Sequence, residues 1–123
     1  MSFAASIHCM DGRIQEPLIA YIKDKTGVDY VDAITEAGPI GTLAAGNEQK
    51  IAAVAERVKV SITAHGAEHV FVSGHHDCAG NPVDKNTQAE QVRETIKRFK
   101  LIFPDAKFHG LWVDENFQVE PMD

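Results

Sequence analysis

His69-Val70-Phe71-Val72-Ser73, followed at once by Gly74-His75-His76-Asp77-Cys78-Ala79-Gly80, decides how this chain is read. A short apolar run without alternation, closed by glycine and polar residues, is a strand buried on both faces, as in a parallel sheet. Gly74 is expected to let the backbone turn sharply, so that His75 and Cys78, three residues apart, face one point in the following loop. An earlier run has the same form: Phe3-Ala4-Ala5-Ser6-Ile7 stops at His8-Cys9-Met10-Asp11-Gly12-Arg13. Two strand ends therefore deliver Cys9, His75 and Cys78.

Between and beyond these runs, strands alternate with helices. Pro17 suits an early helical position, Leu18, Ile19 and Ile22 supply an apolar face, and Gly27 stops this first helix. Tyr30 to Ile34 reads as a second strand. Asn47 caps a longer helix whose Ile51, Val54, Ala55, Val58 and Ile62 recur at helical spacing, with Gly66 as its stop; this stripe is core packing. Asn81-Pro82 marks a loop, Thr87 with Glu90 forms a capping box, and Val92, Ile96, Phe99 and Phe103 mark the buried face of the last helix before Pro104. Lys107 to Val113 and Phe117 to Glu120 are expected to form a hairpin around Asp114-Glu115-Asn116. The fold class is α/β, one domain over residues 1–123, with a central, mostly parallel sheet flanked by helices and a C-terminal hairpin strand. Right-handed crossovers favour a parallel sheet; the strand order expected is 2-1-3-4, which would open a crevice at the carboxyl ends where the connections leave to opposite sides.

Two cysteines and a histidine are the donor set of a borderline-soft metal, and three protein ligands leave the fourth position of a tetrahedral Zn2+ open to water. Taken singly, each residue has a plainer reading. Buried cysteines are commonly apolar core residues, and lone His, Asp and Arg are commonly surface groups or ion-pair partners. Together, at two strand ends, they make a complete three-ligand set.

Composition fits a compact carrier for such a site. The chain has 123 residues, 44% of them hydrophobic, enough for one core, with no repeats or low-complexity stretches. The formal net charge of −6 and the lack of a basic stripe with interleaved aromatics argue against nucleic acid as a partner. Lys97-Arg98 and Lys100 read as a solvated face near a helix end. No stretch approaches the ~20 apolar residues that span a bilayer, and no basic region leads into a secretory apolar core, so a cytoplasmic location is expected. In a reducing compartment the two cysteines are ligands sooner than a disulfide, and they lack the C-x-x-C spacing of a dithiol redox pair.

Cys9-Met10-Asp11-Gly12-Arg13 resembles the C-x-D-S-R signature of the β-class carbonic anhydrases, and His75-His76-Asp77-Cys78 resembles their H-x-x-C signature. Gly74 before the histidine, the Ala37-Gly38 step after the second strand and His109-Gly110-Leu111-Trp112-Val113 extend the likeness over most of the chain. The resemblance implies zinc held by Cys9, His75 and Cys78, with Asp11 and Arg13 as the dyad beside it. Gly12 departs from the pattern, since the family carries serine there, and the chain is short for the family.

That likeness implies reversible hydration of carbon dioxide to bicarbonate by zinc-bound hydroxide, with Asp11 orienting the attack and Arg13 keeping Asp11 ionised. Released from Arg13, Asp11 would instead close the fourth zinc position, as in some family members. His8 and His76 flank ligands and are relay candidates, set against plain supporting or solvent-facing roles; His65, His69 and His109 have weaker claims. Two other functions fit the same motifs: a zinc hydrolase of carbonyl sulfide or carbon disulfide, and a non-catalytic zinc- or anion-binding module. The family is built on dimers whose partner walls the site, so a homodimer or higher even oligomer is expected.

Overall fold

The computed structural model describes residues 1–122. Its elements are β1 (Phe3–Cys9), α1 (Gly12–Thr26), β2 (Tyr30–Glu36), α2 (Pro39–Ala44), α3 (Glu48–Thr63), β3 (His69–His75), α4 (Lys85–Ile102), β4 (Lys107–Val113) and β5 (Val119–Met122). The strands form a single sheet in the order β2-β1-β3-β4-β5. The first four are parallel, and β5 returns antiparallel to β4, with Val113 opposite Val119. The expected order 2-1-3-4 is found, with β5 added at the edge of β4.

Each face of the sheet buries its own core. On one side Ile14, Leu18 and Ile22 of α1 pack against Ala4, Phe71 and Leu111. On the other, Ile40 of α2, Val54 and Val58 of α3, and Val92 and Phe99 of α4 cover the central strands. The connection leaving β1 thus runs over one face, and the connection from β2 to β3 runs over the other. Where they part, the carboxyl ends of β1 and β3 lie side by side at one end of the sheet.

Several local expectations shift. Helix α1 starts at Gly12, because the Asp11 side chain accepts from the Arg13 N–H; Pro17 lies inside the helix, not in its first turn. Its missing N–H costs one bond within α1. Helix α4 is capped by Asp84, which accepts from Thr87 N–H at 2.8 Å, so the Thr87–Glu90 pair is not the cap. Helix α3 keeps its Asn47 cap but ends at Thr63, ahead of Gly66. The last strand starts at Val119, not at Phe117, whose φ of 60° belongs to the turn.

Helix α2 has no counterpart in the sequence reading, being six residues long and too short for a periodic signal. It begins where Gly38 adopts φ 54° against the loop after β3. A Cβ on Gly38 would lie 2.6 Å from the Gly80 carbonyl carbon, so no side chain fits at this contact between the two loops.

Candidate metal centre

Cys9 ends β1, His75 ends β3, and Cys78 follows in the next loop. Their three donor atoms lie within 4.8 Å of one another, and all three residues are buried. The two sulfurs are 3.9 Å apart, and both cysteines are free. Topology brings these residues together across 69 positions of sequence, through the adjacency of β1 and β3 in the sheet.

The histidine is oriented for an occupant. Its Nδ1 is 2.8 Å from the His76 carbonyl oxygen, which can only accept, so the ring proton sits on Nδ1. Nε2 is then a bare lone pair, and it is buried without any hydrogen-bond partner. An orphaned acceptor facing two thiols costs stability unless something fills the gap. Burial lowers the His75 pKa, which keeps the ring neutral, and burial together with the nearby Cys9 raises that of the Cys78 thiol. A cation between the three would reverse the second effect, since a coordinated thiol gives up its proton.

Two glutamines hold the loops that carry these donors. Gln88 of α4, 1% exposed, accepts from His75 N–H at 3.0 Å and donates from Nε2 to the His75 carbonyl at 2.8 Å. Gln15 of α1 donates to the carbonyls of Cys9 at 2.9 Å and Asp11 at 2.7 Å. Gly74 serves the first of these clamps. It lies within β3 without a turn, contrary to expectation, and a Cβ there would come within 2.7 Å of Gln88 Oε1. The Gly38 N–H, 3.4 Å from Cys9 Sγ, gives the sulfur a donor. Sequence reasoning missed both glutamines, because a lone glutamine on a helix carries no pattern.

Asp11 and Arg13 sit at the amino end of α1. Arg13 donates to both carboxylate oxygens, from Nη2 at 2.7 Å and from Nε at 3.1 Å, and its backbone N–H adds a bond at 2.9 Å. These bonds hold the Asp11 pKa at about 2, so the carboxylate is ionised throughout the neutral range. Arg13 also reaches across to the loop after β3, donating to the Asp77 carbonyl at 3.1 Å. The pair thereby links the two loops that bear the sulfur and nitrogen donors.

A family model described as "Putative carbonic anhydrase" matches residues 1–123. The chain belongs to the carbonic anhydrase family. Among solved structures, a carbonic anhydrase from Streptococcus mutans is similar at 21% identity and TM-score 0.61, covering 97% of this chain and 81% of that one. A carbonic anhydrase from Glaciozyma antarctica follows at 17% identity and TM-score 0.59, with 97% and 81% covered. Tetrameric β-carbonic anhydrases from the ascomycete Sordaria macrospora give 13% identity and TM-score 0.56, with 97% and 79% covered. At these identities the likeness is one of fold. No curated protein sequence matches the chain.

Within this carbonic anhydrase fold the remaining candidates separate. His8 is fully buried: its Nδ1 lies 2.8 Å from Ser6 Oγ and its Nε2 2.8 Å from Gln15 Oε1. Burial lowers its pKa, and both ring nitrogens are bonded inside the protein, Nε2 to the Gln15 side chain that holds the Cys9 loop. His76 is exposed at the mouth of a cavity of about 530 Å³, whose other walls include Asp77, Trp112, Asp114 and Glu120. His65, His69 and His109 lie away from the centre, the first paired with Asp32 and the other two with each other. Around Gly12, a Cβ would meet nothing within 4 Å, so the family's serine would fit there unhindered.

Proposed function

We propose that this protein is a zinc-dependent carbonic anhydrase that interconverts carbon dioxide and bicarbonate, with Cys9, His75 and Cys78 holding the metal. The observation that carries the reading is the buried, partnerless Nε2 of His75 aimed at two free thiols. Donor spacing agrees: two sulfurs each about 2.3 Å from a tetrahedral ion sit about 3.8 Å apart, and here they are 3.9 Å apart. When bound, zinc supplies a Lewis acid that makes water nucleophilic near neutral pH.

The chain's own residues do the rest. Asp11, ionised by Arg13, is acceptor-only, and a carboxylate has about four lone-pair sites. Arg13 makes two contacts to each oxygen, and the long one from Nε to Oδ2, at 3.3 Å, is the one most readily given up to another donor. Asp11 would therefore accept a hydrogen bond from the attacking water or hydroxide, without taking its proton, and orient its lone pair toward carbon dioxide, while Arg13 keeps the carboxylate from swinging into the metal position. Gln15 and Gln88 hold the two loops so that these groups keep their spacing.

A second copy of the chain completes the site in this reading. Met10, between Cys9 and Asp11, is 63% exposed, an apolar side chain at the edge of the centre that a partner surface would cover. The Sordaria macrospora relatives are described as tetrameric. Among the described residues no helix is long and apolar enough to cross a membrane. The free thiols fit a reducing compartment, and we place the protein in the cytoplasm.

Metal analysis of purified protein should find about one zinc per chain, reduced in Cys9→Ser, His75→Ala and Cys78→Ser. Stopped-flow hydration of carbon dioxide by the zinc-loaded protein is the decisive assay. Inactivity across neutral and alkaline pH refutes the proposal, and turnover of carbonyl sulfide in its place would select the hydrolase. Light scattering should report an even oligomer at micromolar concentration; a monomer would leave the site without its second wall.

A further inference from the structure

A different cavity, about 320 Å³ in volume, lies where α1 and α4 flank the outer edge of β4. Its floor is apolar: half-buried Tyr21, Ile96, Phe108 and Met122 offer open surface above the fully buried Phe71 and Leu111. Its rim is cationic: Lys25 comes from the end of α1, and Arg93 and Lys100 come from α4, where they stand seven residues apart with Ile96 between them on the same helical face. Among the described residues no acidic side chain lines it, and none of these three cations forms an ion pair. In a chain with 18 acidic and 12 basic residues, a concavity where the described residues supply three cations and no carboxylate is a local inversion of the overall charge.

The sheet edge adds a further feature. Strand β5 pairs only with Gly110–Val113, so the outer edge of β4 from Lys107 to His109 has no strand beside it among the described residues. Backbone polar groups there await a partner. His109 also lines the cavity, its Nε2 2.8 Å from His69 Nδ1 and its ring stacked on Phe71 at 4.6 Å. None of the proposed metal ligands, nor Asp11 or Arg13, touches this space.

We propose that this cavity is a second ligand site, which takes a small organic monoanion: a carboxylate whose apolar body rests on Phe108, Ile96 and Met122. An apolar floor with a few placed charges is the usual make-up of a small-molecule site, and the volume is at the lower end of such sites, about 300–1,000 Å³. A single aromatic ring bearing one carboxylate matches it in size. Charge selects the anion, and the floor selects against inorganic ions, which have nothing to desolvate there.

Benzoate is the probe, with benzyl alcohol as its neutral counterpart and inorganic phosphate as the bare anion. Amide resonances of the full chain are followed by NMR during each titration. Benzoate should give saturable shifts at His109, Gly110 and Arg93 in the millimolar range, and these should persist after chelation, which separates this site from the metal centre. Benzyl alcohol and phosphate should bind at least several-fold more weakly. Arg93→Gln combined with Lys100→Gln alters only exposed side chains and should weaken benzoate roughly tenfold, about 1.4 kcal/mol. Absence of saturation, equal binding of benzyl alcohol, or an unchanged affinity in the double variant would each overturn the site. So would concentration-dependent shifts at the same residues without any probe, which would show that a second copy of the chain fills the groove.

Discussion

Asp11 combines two tasks in one carboxylate, and they can be pulled apart. Its oxygen caps α1 by accepting from Arg13 N–H, and its charge pairs with the Arg13 guanidinium. Asp11→Asn keeps the cap, since asparagine caps as well as aspartate, but loses the ion pair and one acceptor. Zinc content and melting temperature should therefore stay near wild type while carbon dioxide hydration falls roughly 10–100-fold. An equal loss of metal and activity would mean that Asp11 acts through the fold alone. Gln88 is the opposite case, a residue that touches no donor atom yet fixes one. Gln88→Leu strips the His75 backbone of two bonds inside the protein. We expect a stability loss of about 1–3 kcal/mol in urea unfolding, with zinc affinity lowered at the same time. Unaltered zinc affinity in the folded variant would show that His75 needs no such clamp.

At the scale of elements, the strand ends are tied to helices on both faces of the sheet. Glu36, the last residue of β2, bonds Lys50 at 3.2 Å and Arg57 at 2.9 Å, both on α3. Partial burial pushes its pKa up, but the bonds from Lys50 and Arg57 outweigh that, and the net shift is downward. A carboxyl with a depressed folded-state pKa stabilises the fold above its unfolded value, and this contribution disappears as pH falls through the folded value. Between neutrality and pH 5 the wild type should hold its advantage over Glu36→Gln. Below pH 4.5, the ordinary value for the group, the two curves should converge in chemical denaturation series. Curves that stay parallel would show that the pair contributes nothing net, as many exposed pairs do not. Helix α3 itself depends on Asn47, whose side chain accepts from Lys50 N–H at 3.1 Å. Asn47→Ala should cost about 1 kcal/mol, read as a lower melting temperature.

For the whole molecule, the candidate metal centre sits where two halves of the fold meet. Cys9 comes from the first strand, and His75 and Cys78 come from the third strand and its loop, so an ion bound there would join segments 69 residues apart. Such binding is folding free energy, because the unfolded chain has no assembled site. Chelation should lower the melting temperature and leave the far-ultraviolet circular dichroism unchanged at 25 °C, since two separate cores still hold the helices on the sheet. A melting curve unaffected by verified zinc removal would count against a structural contribution. Loss of the whole spectrum would mean instead that the metal is needed for the fold itself.

The sequence alone determined the α/β class, the parallel character of the sheet and the strand ends at which Cys9 and His75 stand, with Cys78 in the loop beyond. These follow from unbroken apolar runs, helical periodicity and the handedness of crossovers, all of which are written locally or are general to chains of L-residues. Only the tertiary structure decided the cap of α4, the presence of α2, the part played by Gly74 and the supporting role of Gln15, Gln88 and His8. Asp84 and Thr87 are both able to cap, and the choice between them depends on where the loop after Cys78 delivers the chain. Gly74 is required because the Gln88 side chain occupies the space a Cβ would take, a contact between a strand and a helix that no local pattern encodes. The orphaned Nε2 of His75 is of the same kind. Donor types are a property of the sequence, but whether a donor is left without a partner depends on everything packed around it.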